Sequence, residues 1–201
     1  SSAASDVYKR QAIDREAAAR AIEDFLRALG HDPTEGDLRG TGQRVAEAWS
    51  DDLLAGEQKS PREILRASAI ASEGAPGLVA VRNITIATMC PHHLLPGFGT
   101  ALVAYLPGDH VAGIGQIAEL VDAVARRLTL QERIGTEVAD LLVSELGARG
   151  ALCTLALTHT CLVARGERQT AAVVETAAFA GSFAAGGADR DLAMSCLGAR
   201  G

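Results

Sequence analysis

The pattern of apolar and polar positions changes character twice along the chain. From Ala12 the apolar residues Ile13, Ala17, Ala21, Phe25 and Leu29 recur at helical spacing and Gly30 follows as a stop, which predicts a first helix. His31-Asp32-Pro33 with Gly36 and Gly40 reads as a loop, and Thr41 to Leu54 reads as a second helix through Val45, Trp49 and Leu53. Pro61 ahead of Arg62-Glu63-Ile64-Leu65 predicts a third, short helix, because proline suits the first helical position. From Leu78 to Ala87 the pattern turns β-branched, with Val79, Val81, Ile84 and Ile86, and predicts a strand that ends just before Cys90.

Thr100 to Leu106 predicts a second strand, with Pro107-Gly108-Asp109 as its turn. The helical period then returns twice, through Ile114, Ile117, Val121 and Val124 and again through Leu130, Ile134, Val138, Leu141 and Leu142. Ala151 to Thr158 is a third predicted strand, leading into His159 and Cys161, and Gln169 to Phe179 a fourth. Gly181 to Gly187 reads as flexible, with a short helix from about Asp189. The order is helices, then β-β-α-α-β-β. Without repeated α/β alternation, this predicts an α+β fold with an antiparallel sheet rather than a doubly wound parallel one. The expected divisions are a flexible N-terminus (1–10), an N-terminal helical region (11–75) and a catalytic domain (76–201).

Composition narrows the function classes. With 201 residues, 48% of them apolar, the chain can bury one substantial core. A net charge of −6 argues against a nucleic-acid or anionic-membrane binder, which would need a basic face. No apolar run approaches the roughly 20 residues of a membrane span, and no charged-then-apolar signal pattern opens the chain, so a cytoplasmic location is expected. The Ser1-Ser2 start without a methionine suggests a trimmed or tagged chain.

The four cysteines and five histidines are unevenly spread. Two cysteines and three histidines fall in Cys90-Pro91-His92-His93 and His159-Thr160-Cys161. Four cysteines are too few for a disulfide scaffold in a chain of this size, and metal binding is the better reading. Cys90 and His93 have a Cys-x2-His spacing after a strand, and Cys161 can supply a third donor. Thiolates and imidazole are donors that zinc prefers, and three protein ligands leave a fourth position for water. The alternative is a closed structural site completed by His92 or His159. Each cluster keeps a spare imidazole, His92 and His159, able to move protons near neutral pH, which favours a catalytic site. Cys153, within an apolar strand, reads as a buried small hydrophobe.

Met89-Cys90-Pro91-His92-His93-Leu94-Leu95-Pro96, His159-Thr160-Cys161 and Arg165-Gly166 together resemble GTP cyclohydrolase I. The resemblance runs from about residue 30 to 195, through Gly40-Thr41-Gly42-Gln43-Arg44-Val45-Ala46, Val111 to Gln116 and Leu130-Gln131-Glu132-Arg133. It implies the tunnelling fold, in which β-β-α-α-β-β units join their sheets across subunits into a barrel. That gives ring-shaped homo-oligomers, a decamer by resemblance, with active sites at subunit interfaces. It implies Zn2+ on Cys90, His93 and Cys161, and attack of an activated water on C8 of a purine nucleoside or nucleotide. His92 and His159 would serve as acid and base while the imidazole ring opens and formate leaves. Glu132 would grip the guanine edge, with Gln131, Arg44, Arg165 and Arg168 as further substrate contacts.

The chain departs from the family where the triphosphate is held. Glu47 and Gln116 stand where the family has lysines, Glu119 where it has an arginine, and Gly115 where it has a serine. Two lysines and an arginine becoming Glu, Gln and Glu takes the formal charge from +3 to −2. One charge pair at 4 Å is worth roughly 4 kcal/mol at an effective dielectric of about 20, so the reversal disfavours a triphosphate. The expectation is a guanosine-like substrate with little or no phosphate, and a reaction that stops before the pterin. If Glu47 and Glu119 merely face solvent, the chain is a conventional GTP cyclohydrolase I making 7,8-dihydroneopterin triphosphate. A silent zinc-stabilised oligomer is disfavoured by the retained His92, His159 and Glu132. A nitrile-reducing relative would need a nucleophilic cysteine, for which Cys153 and Cys196 have the wrong context.

Overall fold

A computed structural model describes residues 13–72 and 77–198, and for 196–198 the backbone only. The expected flexible segment 1–10 lies outside the described residues. The first helix, α1 (Arg15–Ala28), starts where the Asp14 carboxylate accepts the Ala17 N–H at 2.9 Å. It ends at Gly30, whose φ of +84° suits a residue without a side chain. The predicted second helix is α-helical only over α2 (Thr41–Glu47) and winds on as a π-helix over Ala48–Leu53. The third, α3 (Pro61–Ser68), has Ser60 as its cap and Pro61 at its first position.

A four-stranded antiparallel sheet follows, built from β2 (Val79–Met89), β3 (Pro96–Leu106), β5 (Gly150–His159) and β6 (Val174–Gly181) in that spatial order. The short strands β1 (Ala69–Ala71) and β4 (His110–Ala112) pair separately, three residues each, too short to carry a period in sequence. Between β4 and β5 come α4 (Ile114–Ala125) and α5 (Gln131–Ser144), and α7 (Ala188–Gly198) follows β6. The α+β class and the β-β-α-α-β-β order are as expected, while the strand limits need correction. β3 begins at Pro96 rather than Thr100, because its first residues pair with Met89 and Thr88 across a tight turn. β6 begins at Val174 rather than Gln169, because Arg168 turns the backbone at φ +52° and Ala172 N–H folds back onto the Gln169 carbonyl.

The core lies between the sheet and α4 and α5. Ile117, Leu120 and Val124 of α4 and Ile134, Val138 and Leu142 of α5 meet Ile86, Val103 and Leu155 of the sheet. Leu65 of α3 belongs to the same core and is fully buried. The apolar period of α1 is another matter. Phe25 and Leu29 are about 60% exposed on this chain, at 60% and 58%, so the stripe that predicts the helix faces outward. No helix among the described residues is long and apolar enough to cross a membrane.

Candidate active site

Three backbone pieces converge at one end of the sheet. The first is the turn after β2, where the Cys90 N–H donates to the Leu95 carbonyl at 3.0 Å and the Leu94 N–H donates to the Cys90 carbonyl at 2.9 Å. Leu94 closes this turn at φ +53°, a left-handed conformation that a leucine adopts only when its surroundings impose it. The second is the end of β5 and the single helical turn α6 (Thr160–Val163) directly after it. Sequence reasoning puts Cys161 at the end of a strand; it lies instead in this helical turn, anchored by the Thr160 hydroxyl donating to the Pro96 carbonyl at 2.6 Å. The third piece is the start of α5, with Gln131 and Glu132.

Cys90, His93 and Cys161 are the group these pieces bring together, each offering one donor atom, all within 4.8 Å of one another. Cys90 Sγ and His93 Nδ1 are 3.8 Å apart. Donors around one zinc ion at roughly 2.0–2.3 Å stand somewhat under 4 Å from each other, so this set fits a metal with small adjustments. The electrostatics agree. The Cys161 thiol is pushed up first by burial and then by the neighbouring Cys90, while Arg165 acts in the opposite sense. A cation between the two sulfurs would relieve that repulsion.

Beside this group lies a pocket of about 280 Å³ lined by Cys90, Cys161, His159, Gln131, Glu132 and Thr88, among others. His159 is half-buried, and its pKa is lowered by burial while the Glu132 carboxylate opposes that shift. Its Nε2 is 2.7 Å from the Gln131 Oε1. Gln131 is 3% exposed and makes its other hydrogen bonds inside the protein, so the expected substrate contact is occupied within the chain. His92 is exposed on the Cys90 turn, its ring edge-on to His93 at 6.4 Å between centroids.

Of the expected phosphate residues, Arg44, Glu47, Gly115, Gln116 and Glu119 are not among those that line this pocket on the single chain. Arg44 ties down its own loop, donating to the Arg39 carbonyl at 3.0 Å and the Thr41 hydroxyl at 2.9 Å. Glu47 is exposed and accepts from Gln43 at 2.8 Å, and Glu119 is exposed on α4. Among the described residues, no atom beyond its chain neighbours and its own helix backbone lies within 4 Å of the position a Gly115 Cβ would take, so their packing does not force the glycine. Sequence reasoning missed Thr88, whose buried hydroxyl has no partner among the described residues, and Gly97. The signal for Thr88 lies in the pairing of the strands, where it stands opposite Gly97 and Gly97 stands opposite His159.

A family model for GTP cyclohydrolase I matches residues 18–198. The chain belongs to the GTP cyclohydrolase I family. It is 39% identical over 172 residues to the GTP cyclohydrolase 1 of Leifsonia xyli subsp. xyli, covering 86% of this chain and 90% of that one. With the GTP cyclohydrolase 1 of Corynebacterium aurimucosum the figures are 36% over 194 residues, 96% and 97%. With that of Halalkalibacterium halodurans they are 38% over 186 residues, 92% and 97%. GTP cyclohydrolase I enzymes are hydrolases acting on a cyclic amidine, and this chain is an enzyme of that class. Cys153, the alternative nucleophile, is buried with its thiol pushed up to about 12, which keeps it protonated and unreactive.

Proposed function

We propose that this chain carries out the conventional GTP cyclohydrolase I reaction, converting GTP to 7,8-dihydroneopterin triphosphate and formate. The observation that carries the reading is the joint placement of Cys90, Cys161, His159 and Glu132 around one pocket, with His93 completing a donor set suited to zinc. Similarity to several GTP cyclohydrolase 1 proteins along nearly the whole chain supports GTP as the substrate. The expectation of a substrate with little or no phosphate draws no comparable support, since these relatives are all named GTP cyclohydrolase 1.

Cys90, His93 and Cys161 would hold the zinc, which when bound supplies a Lewis acid and an activated water. The chain's own residues do the rest. Glu132, an exposed carboxylate at the pocket, accepts hydrogen bonds from the ring N–H and amino group of guanine. His159 takes up and returns a proton at its imidazole during ring opening, and His92 serves as the second proton carrier from the exposed side of the turn. The Glu132 charge counters the effect of burial on His159, which keeps its protonated form within reach.

Every donor and pocket residue lies after position 76, consistent with a catalytic domain over 76–201 that shares its core with the helical region 11–75. The ring-shaped tunnelling-fold assembly belongs to the same proposal. It is supported by the exposed apolar residues of α1 and by the outer edges of β2 and β6, which pair with no further strand of the sheet among the described residues, Met89 alone bridging to Leu128.

A second reading keeps one observation in its favour: Glu47, Gln116 and Glu119 replace the two lysines and the arginine that the family resemblance leads one to expect. A single experiment separates the two. Zinc-loaded protein is given GTP or guanosine, and products are identified by mass spectrometry. Turnover of GTP well above guanosine, with a dihydropterin triphosphate product, is the expected result. Preferential turnover of guanosine, or a product halted at the formamidopyrimidine, would overturn it.

A further inference from the structure

Gln131 is a charge-neutral side chain buried at the edge of a largely apolar pocket, and its hydrogen bonds fix which of its ends faces His159. Its Nε2 donates to the Val174 carbonyl at 2.9 Å and lies 3.3 Å from the Leu155 carbonyl and 3.2 Å from the Thr176 hydroxyl. Two of those partners are carbonyl oxygens, which only accept, so the amide can be turned only one way. Its oxygen therefore faces His159. An oxygen 2.7 Å from a ring nitrogen requires a proton between them, and only the imidazole has one to give.

We propose that Gln131 is a positioning residue that holds neutral His159 as the Nε2–H tautomer, making Nδ1 the nitrogen that accepts and returns the proton in catalysis. This rests on the role given to His159 above. The other side of the ring is arranged to suit. Thr88, Gly97 and His159 are cross-strand neighbours in one row over β2, β3 and β5. A Cβ on Gly97 would lie 2.9 Å from Nδ1, so the missing side chain is what leaves that nitrogen its space. Nδ1 has no hydrogen-bond partner among the described residues. One nitrogen is thus committed to the scaffold and the other is left bare for chemistry.

The test reads the tautomer directly. Zinc-loaded protein labelled with 15N-histidine is measured by magic-angle-spinning NMR at neutral pH, with the His159 signals assigned by their loss in a His159→Asn variant. A pyrrole-like Nε2 and a pyridine-like Nδ1 are expected. In Gln131→Leu the signal should split between tautomers and kcat should fall at least about tenfold with KM little changed. Gln131→Glu in its protonated form, whose hydroxyl can donate to the Val174 carbonyl while its carbonyl accepts from Nε2–H, should restore the tautomer and part of kcat at low pH. A wild-type spectrum with the proton on Nδ1, or an unchanged kcat in Gln131→Leu, overturns the role of Gln131. Normal turnover by His159→Asn would instead bring down the catalytic reading of His159, a result distinguishable from the first two because the wild-type spectrum is read independently of activity.

Discussion

Cys90 and His93 meet across the turn that ends β2, sulfur to Nδ1 at 3.8 Å, and the only other donor within 4.8 Å of both among the described residues is Cys161. The two halves of the site are thus some seventy positions apart in sequence and joined by the register of β3, whose Gly97 pairs with both Thr88 and His159. A metal held by these three donors would tie the β2 turn to α6.

Removing one donor should therefore empty the site. Cys161→Ala is expected to keep its helical and strand content by circular dichroism while losing at least about a hundredfold in zinc affinity, and with it turnover. Mass-spectrometric metal analysis after dialysis measures the first and formate release the second. A chelator should reproduce the loss in the unaltered protein, and added zinc should reverse it. Because the Cys161 thiol is raised by burial and by Cys90, zinc must displace a tightly held proton. Apparent affinity should fall as pH is lowered, as read by a competing chromophoric chelator.

The depressed pKa of His159 sets the sign of a second effect. Burial lowers it below the unfolded value of 6.5, so between the folded pKa and 6.5 the unfolded chain binds more protons. Stability contributed by neutral His159 is present above pH 6.5 and is lost as pH falls from there toward the folded value. Denaturation of metal-free protein across this range should show a decline in the unaltered chain that His159→Gln lacks. The difference cannot exceed about 1.4 kcal/mol per pH unit for one proton. Glu132→Gln, which removes the charge opposing burial, should extend the window to lower pH.

Tyr105 offers a test of the scaffold away from the chemistry. It is 1% exposed in the middle of the core, and its hydroxyl accepts the Ala112 N–H at 3.0 Å, fastening β4 to β3. Tyr105→Phe keeps the ring but leaves that buried N–H without its partner. The expected cost is about 1–3 kcal/mol in urea denaturation, with kcat unchanged.

Periodicity alone made most of the scaffold legible, because α4, α5, β2 and β5 bury continuous apolar faces that leave a 3.6- or 2-residue signature. The Cys90-x2-His93 pair was legible because both donors come from one turn. Its partner Cys161 was placed in the wrong element, since a four-residue helix such as α6 has no period to read. Gln131 was legible as a site residue through the family motif, but its direction was not. Whether a glutamine faces substrate or protein is decided by carbonyls on β5 and β6, 24 and 43 positions away. Glu47 and Glu119 carry a charge argument in sequence alone; on the folded chain both sit on exposed helix faces.

Gly97 is where packing and chemistry can be pulled apart. Gly97→Ala would put its Cβ 2.9 Å from His159 Nδ1 and 3.4 Å from Thr88 Cγ2. Both are side-chain atoms, and the imidazole can swing aside, so the fold should survive at a cost of about 1–3 kcal/mol. The ring cannot swing without stretching its 2.7 Å bond to Gln131, so turnover should drop more steeply than stability. Gly99→Ala, two residues along the same strand, is the control. Its Cβ would lie 2.0 Å from the Ala156 carbonyl oxygen, a backbone atom in the middle of the sheet that has nowhere to go. That variant should unfold or fail to accumulate, whereas Gly97→Ala should be recovered folded, zinc-loaded and nearly inactive. Equal loss of stability in the two, or an active Gly97→Ala protein, would show that the ring of His159 is not held where catalysis needs it.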